Sequence, residues 1–143
     1  MSALERSAVA ETFIAAYNCR DMAALLELYS PNAEHEDIAQ GRTKAGAETI
    51  VGGLQKFLEW FPDASWLPVT TIAGDGPGIA IVYVLSATLA KPMGPIEPRG
   101  QSISLRGVLV LRMEHGKISR SEDYWDATTF QRQMTTITPE EKQ

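Results

Sequence analysis

Apolar positions along the chain fall into two regimes that meet near Phe61. Between Leu4 and Tyr17, Val9, Phe13 and Tyr17 recur every four residues, which places them on one face of an amphipathic helix. Cys19-Arg20-Asp21 interrupts the pattern, and Asp21 is suited to cap a second short helix that runs to Tyr29 with Leu25, Leu26 and Leu28 on its buried side. Pro31-Asn32 stops it. Gly41-Arg42-Thr43 then turns the chain into a third helix, from about Ala45 to Phe61, with Ile50, Leu54, Phe57, Leu58 and Phe61 at core spacing and Pro62 as its terminator.

The second regime alternates. Ala33 to Ile38 already anticipates it: Ala33, His35 and Asp37 fall on one face of a short strand, Glu34 and Glu36 on the other. Trp66 to Ile72, Ile79 to Leu89, Gln101 to Met113 and Lys117 to Trp125 are β-rich runs. Turn chemistry separates them at Gly74-Asp75-Gly76-Pro77, across 91–100 and at His115-Gly116, so the last two runs form a tight hairpin. Asp126 can cap a closing helix from Ala127 to Met134. Helices followed by a long meander predict an α+β fold in which a cone-shaped, curved antiparallel sheet wraps around the N-terminal helices. A cone closed at one end by helices leaves an apolar pocket with a few placed polar groups.

Composition narrows the function. At 143 residues and 44% hydrophobic content, the chain suits a single domain over 1–143. A formal charge of −5, with 13 scattered basic residues, offers no stripe for a phosphate backbone, so nucleic acid is not an expected partner. The long weakly charged run from Trp66 to Ala90 is broken by Pro68, Gly74, Gly76, Pro77 and Gly78 and cannot span a membrane as a helix. No charged-then-apolar leader precedes the first helix, and the lone Cys19 cannot form an intramolecular disulfide; the expectation is a soluble, cytoplasmic protein. Two histidines and one cysteine far apart give no metal-ligand spacing, and neither metal nor cofactor is expected.

The order of elements, with Ala33-Glu34-His35-Glu36-Asp37, Phe61-Pro62-Asp63, and Glu114-His115-Gly116-Lys117-Ile118 leading to Asp123-Tyr124-Trp125-Asp126, resembles the nuclear transport factor 2-like superfamily. Within it the likeness is to SnoaL-like polyketide cyclases and ketosteroid isomerases, over roughly Leu4 to Met134. The resemblance implies that Asp37 stands where the isomerases keep a proton-shuttling carboxylate. It also implies that Asp123, on the last strand, stands where the cyclases keep an acid/base aspartate. The resemblance further implies a hairpin at Glu114-His115-Gly116 of the isomerases' length and a register that runs on without a gap, which turns Arg106, Val108 and Val110 inward on one strand and Ser121, Asp123 and Trp125 inward on the other. Burial alone argues otherwise for the first strand, because Ile103, Leu105, Leu109, Leu111 and Met113 form its more apolar face.

Two departures from the isomerases follow: Val108 replaces their protonated acid, and Phe13 replaces the oxyanion-binding tyrosine of helix one. Losing such donors removes about 3 kcal/mol each from an enolate-like transition state. The implied chemistry is therefore cofactor-free acid/base catalysis on a small apolar or cyclic carbonyl compound, by a homodimer joined through its outer sheet face. Asp37, Asp123 and His35 are the catalytic candidates, with Arg106, Trp125, Tyr17, Trp60 and Val108 around the ligand. Alternatives stay open: an incomplete Asp37–Arg106–Asp123 relay of the epoxide-hydrolase kind, or a pocket that binds without reacting. Asp37 equally reads as the cap of a turn toward Gly41, and His35, Tyr17 and Trp60 as core residues.

Overall fold

The computed structural model describes residues 1–135. Helix α1 (Ala3–Cys19) begins at a reciprocal cap, Ser2 Oγ accepting from Glu5 N–H and Glu5 Oε1 from Ser2 N–H, both at 3.1 Å. It ends where Arg20 takes a left-handed φ of 60°. Asp21 caps α2 (Met22–Leu28) by accepting from Ala24 N–H at 3.0 Å. The chain passes directly into β1 (Tyr29–Asp37), so Tyr29 opens a strand and does not close the helix. Next come β2 (Arg42–Ala45), α3 (Ala47–Trp60), β3 (Ser65–Ala73), β4 (Gly78–Thr88), β5 (Ser102–Glu114), β6 (Lys117–Trp125) and α4 (Ala127–Thr135).

These strands form one six-stranded sheet in the order β2-β1-β6-β5-β4-β3. Every pairing is antiparallel except β1 with β6, which run parallel and join the first long strand to the last. β2 is the element the sequence reading lacks: Arg42 and Thr43, read as turn, and Ala45, read as the start of the third helix, belong with Lys44 to an edge strand that pairs with Glu34 to Asp37. Asp126 Oδ1 does cap α4, accepting from Thr128 N–H at 2.9 Å and Thr129 N–H at 3.3 Å.

Helices cover the inner face, where Phe13, Ile81, Leu109, Leu111, Ile118 and Met134 are fully buried. α1 packs on β3 and β4, α3 on β1 and β2, and α4 on β5. Arg6 is 3% exposed and fastens α1 to the β3–β4 turn, donating to the carbonyls of Gly78 (3.1 Å), Met1 (2.9 Å) and Gly74.

The inward face of β5 is Ile103, Leu105, Gly107, Leu109, Leu111 and Met113, all buried. Arg106 is exposed, and Val108 and Val110 lie with it on the outer face, opposite to the gapless register. The reason is one residue. Met113 pairs with Ile118 but Arg112 pairs with Arg120, so Ser119 bulges out of the ladder and its hydroxyl donates to Arg112 O at 3.2 Å. A one-residue shift exchanges the faces of a strand. Beyond the bulge Asp123 therefore faces Leu109, not Val108.

Candidate functional site

The parallel pairing of β1 and β6 sets His35 beside Ser121 and Asp37 beside Asp123, all on the inner face. Each of His35, Asp37, Asp123 and Trp125 is only half-buried, so the row is reached from solvent.

Asp123 is the chemical centre of this row. Tyr83, from β4, donates its hydroxyl to Asp123 Oδ1 at 2.7 Å. To do so the phenol ring must cross β5, which lies between the two strands, and it crosses at Gly107, its ladder partner. A Cβ at Gly107 would overlap the hydroxyl end of the ring. Desolvation is the largest influence on Asp123; with the nearby charge of Asp37 it pushes the carboxyl up to about 7, against the opposing donation from Tyr83. Tyr83 itself is held far above its usual range, chiefly by burial and then by Asp123, and stays a donor.

Asp37 Oδ1 accepts from the Trp125 indole N–H at 3.0 Å and from Gln40 N–H at 3.2 Å. Asp37 thus caps the turn after β1, and it also stands at the side of Asp123. His35 Nδ1 lies 2.7 Å from Ser121 Oγ, which is 2.8 Å from the Tyr29 hydroxyl. Burial depresses His35 to about 4, outweighing the opposite pull of Asp37, so the imidazole is neutral at neutral pH.

Tyr17 is half-buried in α1, one turn beyond Phe13, with its ring 4.6 Å from Phe13 and edge-on to Trp66 at 5.0 Å. Its hydroxyl is raised first by burial and then by Tyr29 and Asp123, and so stays protonated near the acid row. From Tyr29 an unbroken series of ring contacts passes through Phe13, Tyr17, Trp66, Phe57, Phe61 and Phe130 to Trp125, whose indole returns to Asp37. The belt starts and ends on the two strands that carry the acids. Trp60, at the end of α3, is covered by Lys56 at 5.5 Å, and no ring contact or hydrogen bond among the described residues ties it to the acids.

The sequence candidates thus divide. Asp37, Asp123, His35, Trp125 and Tyr17 come together; Arg106 and Val108 face away. Tyr83 and Gly107 were missed, although a lone tyrosine in the aliphatic stripe Ile79, Ile81, Leu85, with a glycine in the next strand's stripe, was a usable signal. Ser121, read as inward, gains a partner in Tyr29. A separate cleft of about 300 Å³ lies at the hairpin end, lined by Met1, Arg6, Asp75, Pro77, Met113 and His115, away from this row. Among the described residues no cluster of His, Cys, Asp or Glu could hold a metal ion, and no helix is long and apolar enough to cross a membrane.

A curved sheet closed by N-terminal helices is the fold of the nuclear transport factor 2-like class. The profile of the SnoaL-like polyketide cyclase family matches residues 7–134, and the chain belongs to that family. Solved structures agree on the fold. A candidate polyketide cyclase from Xanthomonas campestris pv. campestris superposes with a TM-score of 0.87 at 20% identity, covering 94% of this chain and 100% of its own. IdmH, a candidate polyketide cyclase from Streptomyces antibioticus, gives 0.80 at 20% identity, covering 92% and 99%. AclR, a candidate hydroxylase from Streptomyces galilaeus, gives 0.81 at 22% identity, covering 96% and 89%. No curated protein sequence matches this chain.

Proposed function

We propose that the protein is a cofactor-free acid/base enzyme for a small, mostly apolar carbonyl compound, carrying out polyketide cyclase- or isomerase-like carbon-acid chemistry. The observation that carries this reading is Asp123, partly open to solvent, oriented by Tyr83 and held near pH 7 beside Asp37. A carboxyl at that poise is present in both forms at neutrality and serves as base and then as acid.

In this reading the Asp123 carboxylate takes a proton from a carbon next to a carbonyl. The enolate oxygen is met by the Tyr17 hydroxyl and by neutral His35. Protonated Asp123 then returns the proton, to another carbon in an isomerisation or to the alkoxide formed when the carbanion adds to a second carbonyl in a ring closure. The aromatic belt supports a flat or ring-shaped substrate. An epoxide-opening relay would need Arg106, which faces the other way.

A second copy of the chain covers the outer face of the sheet in the same reading. Val82, Val84, Val108 and Val110 form its centre beside the exposed Leu67, Val69 and Ile72. Arg106 and Arg112 stand on β5 of this face, and on β1 and β6 Arg120 gathers Glu34 (3.4 Å), Glu36 and Glu122 (3.0 Å) into one ion-paired cluster.

Deuterium uptake at the α-carbon of cyclic ketones and aryl β-keto esters, read by proton NMR in heavy water, tests the enzyme reading. Wild type should accelerate uptake, and Asp123→Asn should lose about 100-fold or more of that acceleration. An unchanged rate in the variant would overturn the assignment of Asp123.

A further inference from the structure

Three groups in a row occupy the space between α2's end and the acid row: the Tyr29 hydroxyl, Ser121 Oγ and His35 Nδ1, spaced 2.8 and 2.7 Å apart. Tyr29 is 3% exposed and Ser121 is fully buried, so bulk solvent does not reach these hydroxyls. Each hydroxyl has one hydrogen to place.

Only one direction uses both hydrogens. If Tyr29 donates to Ser121 and Ser121 donates to His35, each O–H has an acceptor and Nδ1 acts as the acceptor at the end. If His35 donates from Nδ1 and Ser121 passes its hydrogen to Tyr29, the Tyr29 hydrogen is left in the core, because its hydroxyl has no other partner among the described residues. If Tyr29 and His35 both donate to Ser121, the serine hydrogen is stranded instead. Buried polar hydrogens without acceptors are strongly disfavoured, and no buried side-chain nitrogen or oxygen here lacks a partner.

We infer that Tyr29 and Ser121 are positioning residues that lock His35 in the tautomer protonated on Nε2, making it a fixed hydrogen-bond donor for a substrate oxygen and not a base. Nε2 has no protein partner among the described residues, and it is the ring atom opposite the Ser121 contact. A neutral N–H donates to a carbonyl without the desolvation cost of an imidazolium, and strengthens that bond as the oxygen gains charge. The charged neighbours of the ring are Asp37 on its own strand, Lys44 across the β1–β2 ladder and Arg120 on β6. Burial, reinforced by the positive charges of Lys44 and Arg120, outweighs Asp37, so the imidazole holds its neutral form through the physiological range.

The inference rests on the acid/base reading for its purpose but not for its test. Two-bond proton–nitrogen correlation spectra of protein labelled at histidine nitrogen distinguish the tautomers directly, with His115→Gln used to assign the two histidines. Wild type should show Nδ1 as the unprotonated nitrogen of His35, unchanged from pH 8 to pH 6. Ser121→Ala should shift the ring toward the Nδ1-protonated form, and Tyr29→Phe should shift it less, because Ser121 can still donate. Finding wild-type His35 protonated on Nδ1 would overturn the inference without any variant. So would a Ser121→Ala protein, folded by its amide spectrum, with an unchanged tautomer. A wild type that shows the Nε2-protonated tautomer but accelerates no deuterium exchange would instead count against the proposed chemistry alone.

Discussion

The Tyr83 hydroxyl reaches Asp123 Oδ1 at 2.7 Å only because Gly107, on the strand between them, has no side chain. The acid is therefore oriented from two strands away, through a vacancy in the intervening one. Gly107→Ala should displace the phenol ring, destabilise the fold by about 1–3 kcal/mol, and lower exchange activity as far as Tyr83→Phe does. The double variant should be no worse in activity than either single one. Additive losses in the steady-state rates would show that Gly107 acts by another route.

The pH dependence of exchange should report the environment of Asp123. As the base, it should give a rate that rises with pH and is half-maximal near its value of about 7. Tyr83→Phe removes a donor that favours the carboxylate, so the midpoint should move up. Asp37→Asn removes a neighbouring negative charge, so the midpoint should move down. Shifts of the same sign in both variants would contradict this account.

Asp123 and His35 should pull stability in opposite directions over one range of pH. The folded state keeps a proton on Asp123 up to about 7 that the unfolded chain releases near 3.8, so this group's contribution is full at low pH and is lost as pH rises. Folded His35 stays neutral down to about 4, while the unfolded imidazole takes a proton near 6.5; its contribution is lost as pH falls. Each slope is at most about 1.4 kcal/mol per pH unit, and they nearly cancel between the two. Urea unfolding at about pH 4.5 and 6.5 checks this. Relative to wild type, Asp123→Asn should gain stability on going up that interval and His35→Gln should lose it. Parallel behaviour of all three proteins would refute the opposition.

The outer face gives a prediction about association. Val108→Glu, in the apolar centre of that face, should convert dimer to monomer in sedimentation velocity while leaving the inner face intact. Arg106→Ala should leave deuterium exchange unchanged, since its side chain is on the far side of the sheet from Asp123. A monomeric wild type would remove the dimer from the proposal.

Much of this architecture was written in local pattern. Helical spacing in Val9, Phe13 and Tyr17, the cap at Asp21, the alternation from Ala33 to Asp37 and the stop at Pro62 each act over a few residues, and the elements they predict are present. β2 was hidden because Arg42 to Ala45 has no apolar face of its own; its strand character comes from pairing with β1. The bulge at Ser119 was hidden for a different reason. A hairpin's turn length fixes its first pairs, but one unpaired serine beyond them reverses every later side chain, and nothing in the identity of Ser119 marks it. The burial pattern of Ile103, Leu105, Leu109 and Leu111 held the correct answer, and the register carried over from the family resemblance overrode it. Of the site, Asp37 and Asp123 were visible as carboxylates in strands, whereas Tyr83 could be connected to them only by knowing that β4 lies two strands from β6.

The parallel contact between β1 and β6 also sets when the protein can work. Its two carboxylates lie on the first long strand and on the last, and they stand side by side only once β6 has paired with β1. During synthesis the helices and the β3–β4 hairpin can form as they emerge, but the strand bearing Asp37 has no neighbour on one edge until β6 has been made and threaded beside it. A nascent or truncated chain should accordingly be inert and carry a sticky open edge, and the appearance of activity would serve as a clock for completion of the last strand.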